Sequence, residues 1–261
     1  MTEFKGDIFP FSTERTHTPL LFTRALHDAH IPLNQPQIML LEECWKTFAK
    51  EDLQWVKAHS VNVATVAQTM AQAYSTVGFS EQEIAEITLA GLLHDIGKTH
   101  RIFYPNLNKN GLLTPEERIQ IQKHADYGRN MAKALGIPER IYQLFSPHHE
   151  ILQENPYPRK NGNNGNHSGE ERRMPIDPKV YCGQLLIALA DQIEAAMSPT
   201  RPRSPDHHPK TPGEIFEQLR ANKNLKDIPD AILQIGINRC VALQEKQQVI
   251  QGKAIFEGSS N

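Results

Sequence analysis

Apolar residues recur at three- and four-residue steps along most of this chain and nowhere settle into strand-like alternation, which predicts helices throughout. From Ile38 to about Val77 the pattern is helical, with Val56, His59, Val63, Val66 and Met70 sharing one face. Ser80-Glu81-Gln82-Glu83 has capping-box spacing and opens a helix that carries Ile84, Ile87, Thr88 and Gly91 inward and runs out at His94-Asp95, with Gly97 read as its stop. A loop is expected from Thr99 to Leu113. Thr114-Pro115-Glu116-Glu117 then opens a helix whose stripe is Ile121, His124, Gly128, Met131 and Leu135, ended by Gly136. Pro138 starts the next, where Ile141, Leu144 and Phe145 lead to His148-His149. Val180, Gln184, Ile187, Asp191 and Glu194 mark another, Thr211 to Glu214 cap a short one, and Pro229 begins a last helix running to about Ile250.

Between these elements periodicity fails in two places. Residues 1–38 hold Pro10, Pro19, Pro32 and Pro36 and only short apolar pieces, so they are expected to form an N-terminal appendage. Residues 153–178 are polar and irregular, and the Asn/Gly-rich part at about 159–175 is expected to be a mobile loop. The main domain is placed at 39–250 and a tail at 251–261. The fold class expected is all-α, a helical bundle.

Composition narrows the function classes. Over 261 residues the formal net charge is −2 with no basic block, which argues against a nucleic-acid partner. No apolar run approaches membrane-spanning length and the first residues contain no signal-like core, so a cytoplasmic protein without a membrane partner is expected. Cys44, Cys182 and Cys240 are isolated and give neither a disulfide framework nor a zinc motif.

The histidines change this picture. A single histidine on an apolar face is usually a satisfied core residue, and His59 alone would be read so. Of the 12 histidines, however, five (His59, His94, His124, His148, His149) fall with Asp95 and Asp191 on inner faces or inner ends of helices. The other seven lie in loops, linkers or the N-terminal segment. One core cannot comfortably bury that many polar side chains unless they share a strongly attractive centre. Nitrogen and oxygen donors without thiolates suit Fe or Mn, with Zn, Ni, Co or Mg as alternatives. Seven ligands exceed one tetrahedral ion, so two divalent metal ions sharing a carboxylate, roughly 3.5–4 Å apart, are expected.

These residues resemble the HD superfamily of metal-dependent phosphohydrolases, and within it the HD-GYP branch. The resemblance is carried by Leu93-His94-Asp95-Ile96-Gly97-Lys98, by Asn108 to Glu117, by His124 with Gly128, and by His148-His149-Glu150, in the branch's order and spacing over roughly residues 55–205. The Gly-Tyr-Pro signature is degenerate. Gln153, Glu154 and Pro156 stand where the signature differs, and only Tyr157 and Pro158 remain. Arg201-Pro202 and Arg203 are what is left of a later Arg-Pro-Tyr-Arg block, and Trp55 stands where some relatives carry a glutamate for a third metal.

The resemblance implies that Asp95 bridges two ions, with His59, His94 and Asp191 completing one coordination sphere and His124, His148 and His149 the other. It implies a phosphodiesterase that hydrolyses a cyclic dinucleotide, cyclic di-GMP-like, through a metal-bridging hydroxide. Lys98 is then a candidate to hold a phosphate oxygen, its alternative role being an exposed lysine that complements a helix dipole. Lys109, Tyr157, Arg201 and Arg203 are candidates for the rest of the nucleotide. Three alternatives stand beside this: a nucleotidase or phosphomonoesterase, a mixed-valent di-iron oxygenase of the same superfamily, and a non-catalytic metal-stabilised signalling module. A protein partner would dock on the N-terminal segment or the 159–175 loop.

Overall fold

In the computed structural model, which describes residues 24–48, 53–109, 111–152, 177–199 and 208–258, every regular element is helical, and no strand occurs among the described residues. After a helical turn at 24–28 come α1 (Gln35–Phe48), α2 (Gln54–Ala73) and α3 (Glu81–Leu93). Two 3-10 turns (Ile96–Thr99, Arg101–Phe103) lead into the single turn α4 (Tyr104–Leu107), and then α5 (Pro115–Gln122), α6 (His124–Ala134) and α7 (Glu139–Phe145) follow. The last four elements are α8 (Pro178–Met197), α9 (Pro212–Arg220), a 3-10 turn at Lys223–Leu225 and α10 (Asp230–Gly258).

Helix α2 is the axis of the bundle and packs against α3, α8 and α10. Its face of Val56, Val63, Val66, Ala67 and Met70 is fully buried, and His59 sits in that same row. Burying each large aliphatic side chain contributes about 1.5–3 kcal/mol, so the polar His59 displaces an apolar contact and needs a compensating interaction. Helix α8 lies beside α2 with Leu186, Ile187, Leu189, Ala190 and Ile193 in the core. Leu26 and Ala29 pack into the same core cluster as Leu41, Trp45 and Phe48 of α1.

The capping box read from sequence forms at Ser80–Glu83, and the N-caps read at Thr114 and Thr211 are also capping boxes, closed by Glu117 and Glu214. They fix where α3, α5 and α9 begin. Arg140 of α7 then joins three elements: its guanidinium donates to Glu86 at 2.6 Å and Glu83 at 3.2 Å on α3, and to Asp177 at the start of α8 at 3.5 Å. Gly136 ends α6 with φ +71, a left-handed conformation that glycine adopts without steric cost.

The structure corrects four expectations. The helical stretch from Ile38 to Val77 is two helices, α1 and α2, with the break between Phe48 and Gln54. The helix expected across 115–135 divides at Lys123 into α5 and α6, which makes His124 the first residue of a helix rather than a mid-helix position. The expected loop from Thr99 to Leu113 contains short helical turns. The last helix continues past Ile250 to Gly258. At Lys123 the steps from Ile121 to His124 to Gly128 still follow the helical period, which is why the pattern did not reveal that break.

Candidate metal centre

Five histidines and two aspartates from α2, the end of α3, the start of α6, the turn after α7, and α8 converge in one polar pocket of the core. His59 comes from α2, His94 and Asp95 from the end of α3, His124 from α6, His148 and His149 from the turn beyond α7, and Asp191 from α8. His59, His94, Asp95, His124 and His148 are each 2 % exposed or less. Asp191 and His149 keep side-chain exposures of 13 % and 23 %, so the pocket opens on their side.

Backbone geometry fixes which ring nitrogen faces inward. His94, His124 and His148 each donate Nδ1–H to the carbonyl three residues earlier, at 2.7 Å to Gly91, 2.5 Å to Ile121 and 2.7 Å to Phe145. Their Nε2 atoms are therefore lone-pair acceptors turned toward a common space. His59 donates Nδ1–H to Glu194, whose other oxygen accepts from Asn62 at 3.1 Å.

Most of the groups in that space are acceptors, with His59 and Lys98 as the donors. His124 Nε2 lies 3.1 Å from Asp95 Oδ1 and 3.3 Å from His149 Nε2. His94 Nε2 lies 3.3 Å from His59 Nε2 and 3.4 Å from Asp95 Oδ2, and His59 Nε2 lies 3.0 Å from Asp191 Oδ1. His148 Nε2 is buried with no hydrogen-bond partner. A buried acceptor without a donor costs about 1–3 kcal/mol, and several converging on one point require a cation. Three groupings have donor atoms mutually within 4.8 Å: His124 with His148 and His149, His59 with His94 and Asp95, and His94 with His148 and Asp191. An all-nitrogen and oxygen donor set of this kind fits divalent metal ions, so buried His/Asp clusters able to bind metal are present.

Protonation follows the same logic. Burial pushes His59 down, but the charge of Glu194 and the hydrogen bonds to Asp191 and Glu194 outweigh it and hold the imidazole up at about 9. Burial, followed by repulsion from His94, holds His148 down at about 3. His94 is also lowered by burial, and His149 is lowered well below the usual range by burial and its histidine neighbours. Burial opposes ionisation of Asp95, yet the ammonium of Lys98 outweighs it and keeps the carboxyl well below its ordinary value. At Asp191 burial is likewise outweighed, here by the hydrogen bond and charge of His59.

Lys98 is 4 % exposed and its Nζ lies 2.5 Å from Asp95 Oδ2, which replaces the alternative of an exposed lysine at a helix end. Gly97 also differs from its expected role. The chain continues beyond it as a 3-10 turn, and its smallness serves the close approach of α6. Lys109 pairs with Glu117 at 2.6 Å rather than with a member of the cluster. Trp55 packs against the core as a partly buried hydrophobic residue. Tyr157, Arg201 and Arg203 lie outside the described residues, as does the expected loop at 159–175. Sequence reasoning assigned no role to Glu194 and Asn62. The only signal was spacing: Asn62 is one turn after His59, and Glu194 one turn after Asp191.

The family profile described as HD domain matches residues 56–196, a span that contains all seven residues of the cluster. The chain belongs to the HD domain family. Among curated proteins, a cyclic di-GMP phosphodiesterase of Thermotoga maritima is 33 % identical over 151 residues, covering 56 % of this chain and 35 % of that protein. The 3'3'-cGAMP-specific phosphodiesterase 1 of Vibrio cholerae is 32 % identical over 108 residues, covering 41 % of this chain and 24 % of that protein. The HD chain thus spans 35 % or less of the length of these relatives. The crystal structure of the HD domain of the L. monocytogenes phosphodiesterase PgpH superposes with a TM-score of 0.50 at 19 % identity, covering 78 % of this chain and 98 % of that one, which shows a shared all-α fold. No described helix of this HD protein is long and apolar enough to cross a membrane.

Proposed function

We propose that this HD domain is a metal-dependent phosphodiesterase that hydrolyses a cyclic dinucleotide, with a cyclic di-GMP-like molecule as substrate. The observation that carries this reading is the position of Asp95. Its Oδ2 faces His94 at 3.4 Å and His59 at 3.6 Å while its Oδ1 faces His124 at 3.1 Å, so one carboxylate stands between two sets of imidazoles. The likeness to relatives named as cyclic di-GMP and 3'3'-cGAMP phosphodiesterases supports the substrate class.

In this reading His59, His94, Asp95 and Asp191 would hold one divalent ion, and Asp95, His124, His148 and His149 would hold another, Fe or Mn. When bound, such a pair supplies Lewis acidity toward phosphoryl oxygens and lowers the pKa of water. The protein's part is placement. Backbone carbonyls that accept Nδ1–H keep the Nε2 lone pairs of His94, His124 and His148 turned inward before any ligand arrives, so little reorganisation of these three accompanies loading. The ammonium of Lys98, held beside Asp95, offers positive charge to a phosphate oxygen next to the cluster. Lys109, Tyr157, Arg201 and Arg203 are assigned to the remainder of the nucleotide. The more exposed edge at Asp191 and His149 is the side from which a substrate would enter.

The test is hydrolysis of cyclic di-GMP and 3'3'-cGAMP by full-length protein loaded with Mn or Fe, followed by chromatography and compared with Asp95→Ala. Linear dinucleotide or mononucleotide product from the wild type alone is expected. No product above the variant with any metal would overturn the proposal, and phosphate release from mononucleotides would instead favour the nucleotidase alternative.

A further inference from the structure

The two halves of the cluster are supported differently. His94, His124 and His148 each lean on a neutral backbone carbonyl. His59 alone among these four leans on a carboxylate, Glu194, which is 3 % exposed and held in turn by Asn62 at 3.1 Å. Asn62 accepts from Gln247 of α10 at 3.4 Å, so a chain of side chains runs from the last helix to a single ligand.

Charge makes the difference matter. The side bounded by His59 and His94 holds Asp191 and Oδ2 of Asp95, but Lys98 places an ammonium 2.5 Å from that same oxygen. Without Glu194, that ammonium offsets much of the advantage this side has over the three-imidazole side, which shares Asp95 through Oδ1. Glu194 adds a buried negative charge one imidazole away from the ion, and a carboxylate accepting Nδ1–H makes Nε2 a stronger donor to a metal. In a low-dielectric interior such a charge acts strongly over this distance.

We propose that Glu194 is a positioning residue that makes the two metal positions unequal: acting through His59, it causes the His59/His94/Asp95/Asp191 side to fill first and empty last. This rests on the two-metal reading above and adds an order of loading to it.

The experiment is a titration of chelator-treated full-length protein with Mn(II), with free ion read by electron paramagnetic resonance. Repulsion between the ions separates two steps in any case, so the deciding datum is which step each variant moves. Loss of the tighter step in His59→Ala and of the weaker step in His149→Ala is expected. Glu194→Gln, which keeps the side chain's shape and an acceptor oxygen while removing the charge, is expected to weaken the tighter step roughly 10- to 100-fold and leave the weaker one in place.

An unchanged tighter step in Glu194→Gln, or a tighter step abolished by His149→Ala instead, overturns the proposal. If Glu194→Gln fails to fold by circular dichroism, Asn62→Ala replaces it, with a smaller weakening of the same step expected and no weakening counted against. Protein that binds no manganese refutes the metal centre itself. Protein that binds two ions in unequal steps but cleaves no cyclic dinucleotide refutes only the substrate.

Discussion

A Cβ placed on Gly97 would lie 2.0 Å from the carbonyl oxygen of His124 and 2.6 Å from the amide nitrogen of Gly128. The turn after Asp95 and the start of α6 are therefore in backbone contact, and that contact sets the distance between the Asp95 and His124 side chains. Any side chain at position 97 must push α6 away, because the obstacle is main chain and cannot rotate aside.

Gly97→Ala is accordingly expected to cost at least about 3 kcal/mol, the upper end for overpacking, and to reduce metal content together with stability. Urea denaturation and elemental analysis of the purified variant measure both. Gly213→Ala is the control: a Cβ there meets nothing within 4 Å, and its position in α9 favours alanine by about 0.5–1 kcal/mol. A Gly97→Ala protein with wild-type stability and metal content would refute the backbone-contact argument.

Lys98→Met tests the ion pair with Asp95. In metal-free protein the substitution leaves a buried carboxylate without its cation, which costs about 3–5 kcal/mol. Divalent ions bound at Asp95 would supply that cation, so the loss is expected to shrink in metal-loaded protein. Thermal melts with chelator and with Mn(II) give the two differences. Equal destabilisation in both conditions would mean that Lys98 and the metal do not share Asp95.

The metal-free protein is expected to have a lopsided pH profile. His148, held at about 3, binds fewer protons folded than unfolded, so its contribution is present above about 6.5 and is lost as pH falls below it. His94 and His149, also lowered, act in the same direction, and Asp95 and Asp191, both held well below their ordinary value, lose their contribution lower in the acid range. His59, raised to about 9, works oppositely: its contribution is present below about 6.5 and is lost as pH rises toward 9. Within the cluster five groups lose their contribution toward acid and one toward alkali, so stability in chelator should fall more steeply on the acid side than on the alkaline side. Denaturation midpoints from pH 4 to 9 check this, and a steeper alkaline limb would contradict it.

Cys240 provides a readout of global unfolding. Burial, with a smaller contribution from Glu194, pushes its thiol up to about 12, and it is 0 % exposed. Thiolate is then scarce at pH 8 and the sulfur is out of reach. Cys44 and Cys182, both partly exposed, should react first with an aromatic disulfide reagent, and Cys240 only as fast as the protein unfolds. Prompt modification of all three at pH 8 would show that α10 opens locally.

Much of the bundle was legible from residue order because two kinds of signal are strictly local. Capping boxes are written within four residues, and the structure forms those at Ser80, Thr114 and Thr211. Histidines in apolar rows, such as His59 among Val56, Val63 and Val66, stand out by helical period alone. What was not legible depends on contacts between distant elements. The support that Glu194 gives His59 spans 135 residues, and nothing near Glu194 announces it. Lys98 was singled out as a phosphate candidate, but its burial against Asp95 was not legible, because it comes from a 3-10 turn after α3 where a helix stop at Gly97 was expected. The split at Lys123 was hidden because Ile121, His124 and Gly128 continue the three- and four-residue step across it in the sequence.

Three of the imidazoles are clasped by their own helical turn, since His94, His124 and His148 each hydrogen-bond the carbonyl three residues before them. Their aim is thus a property of short stretches of sequence. Such an arrangement lets three convergent ring nitrogens survive changes elsewhere in the chain, because each carries its own anchor.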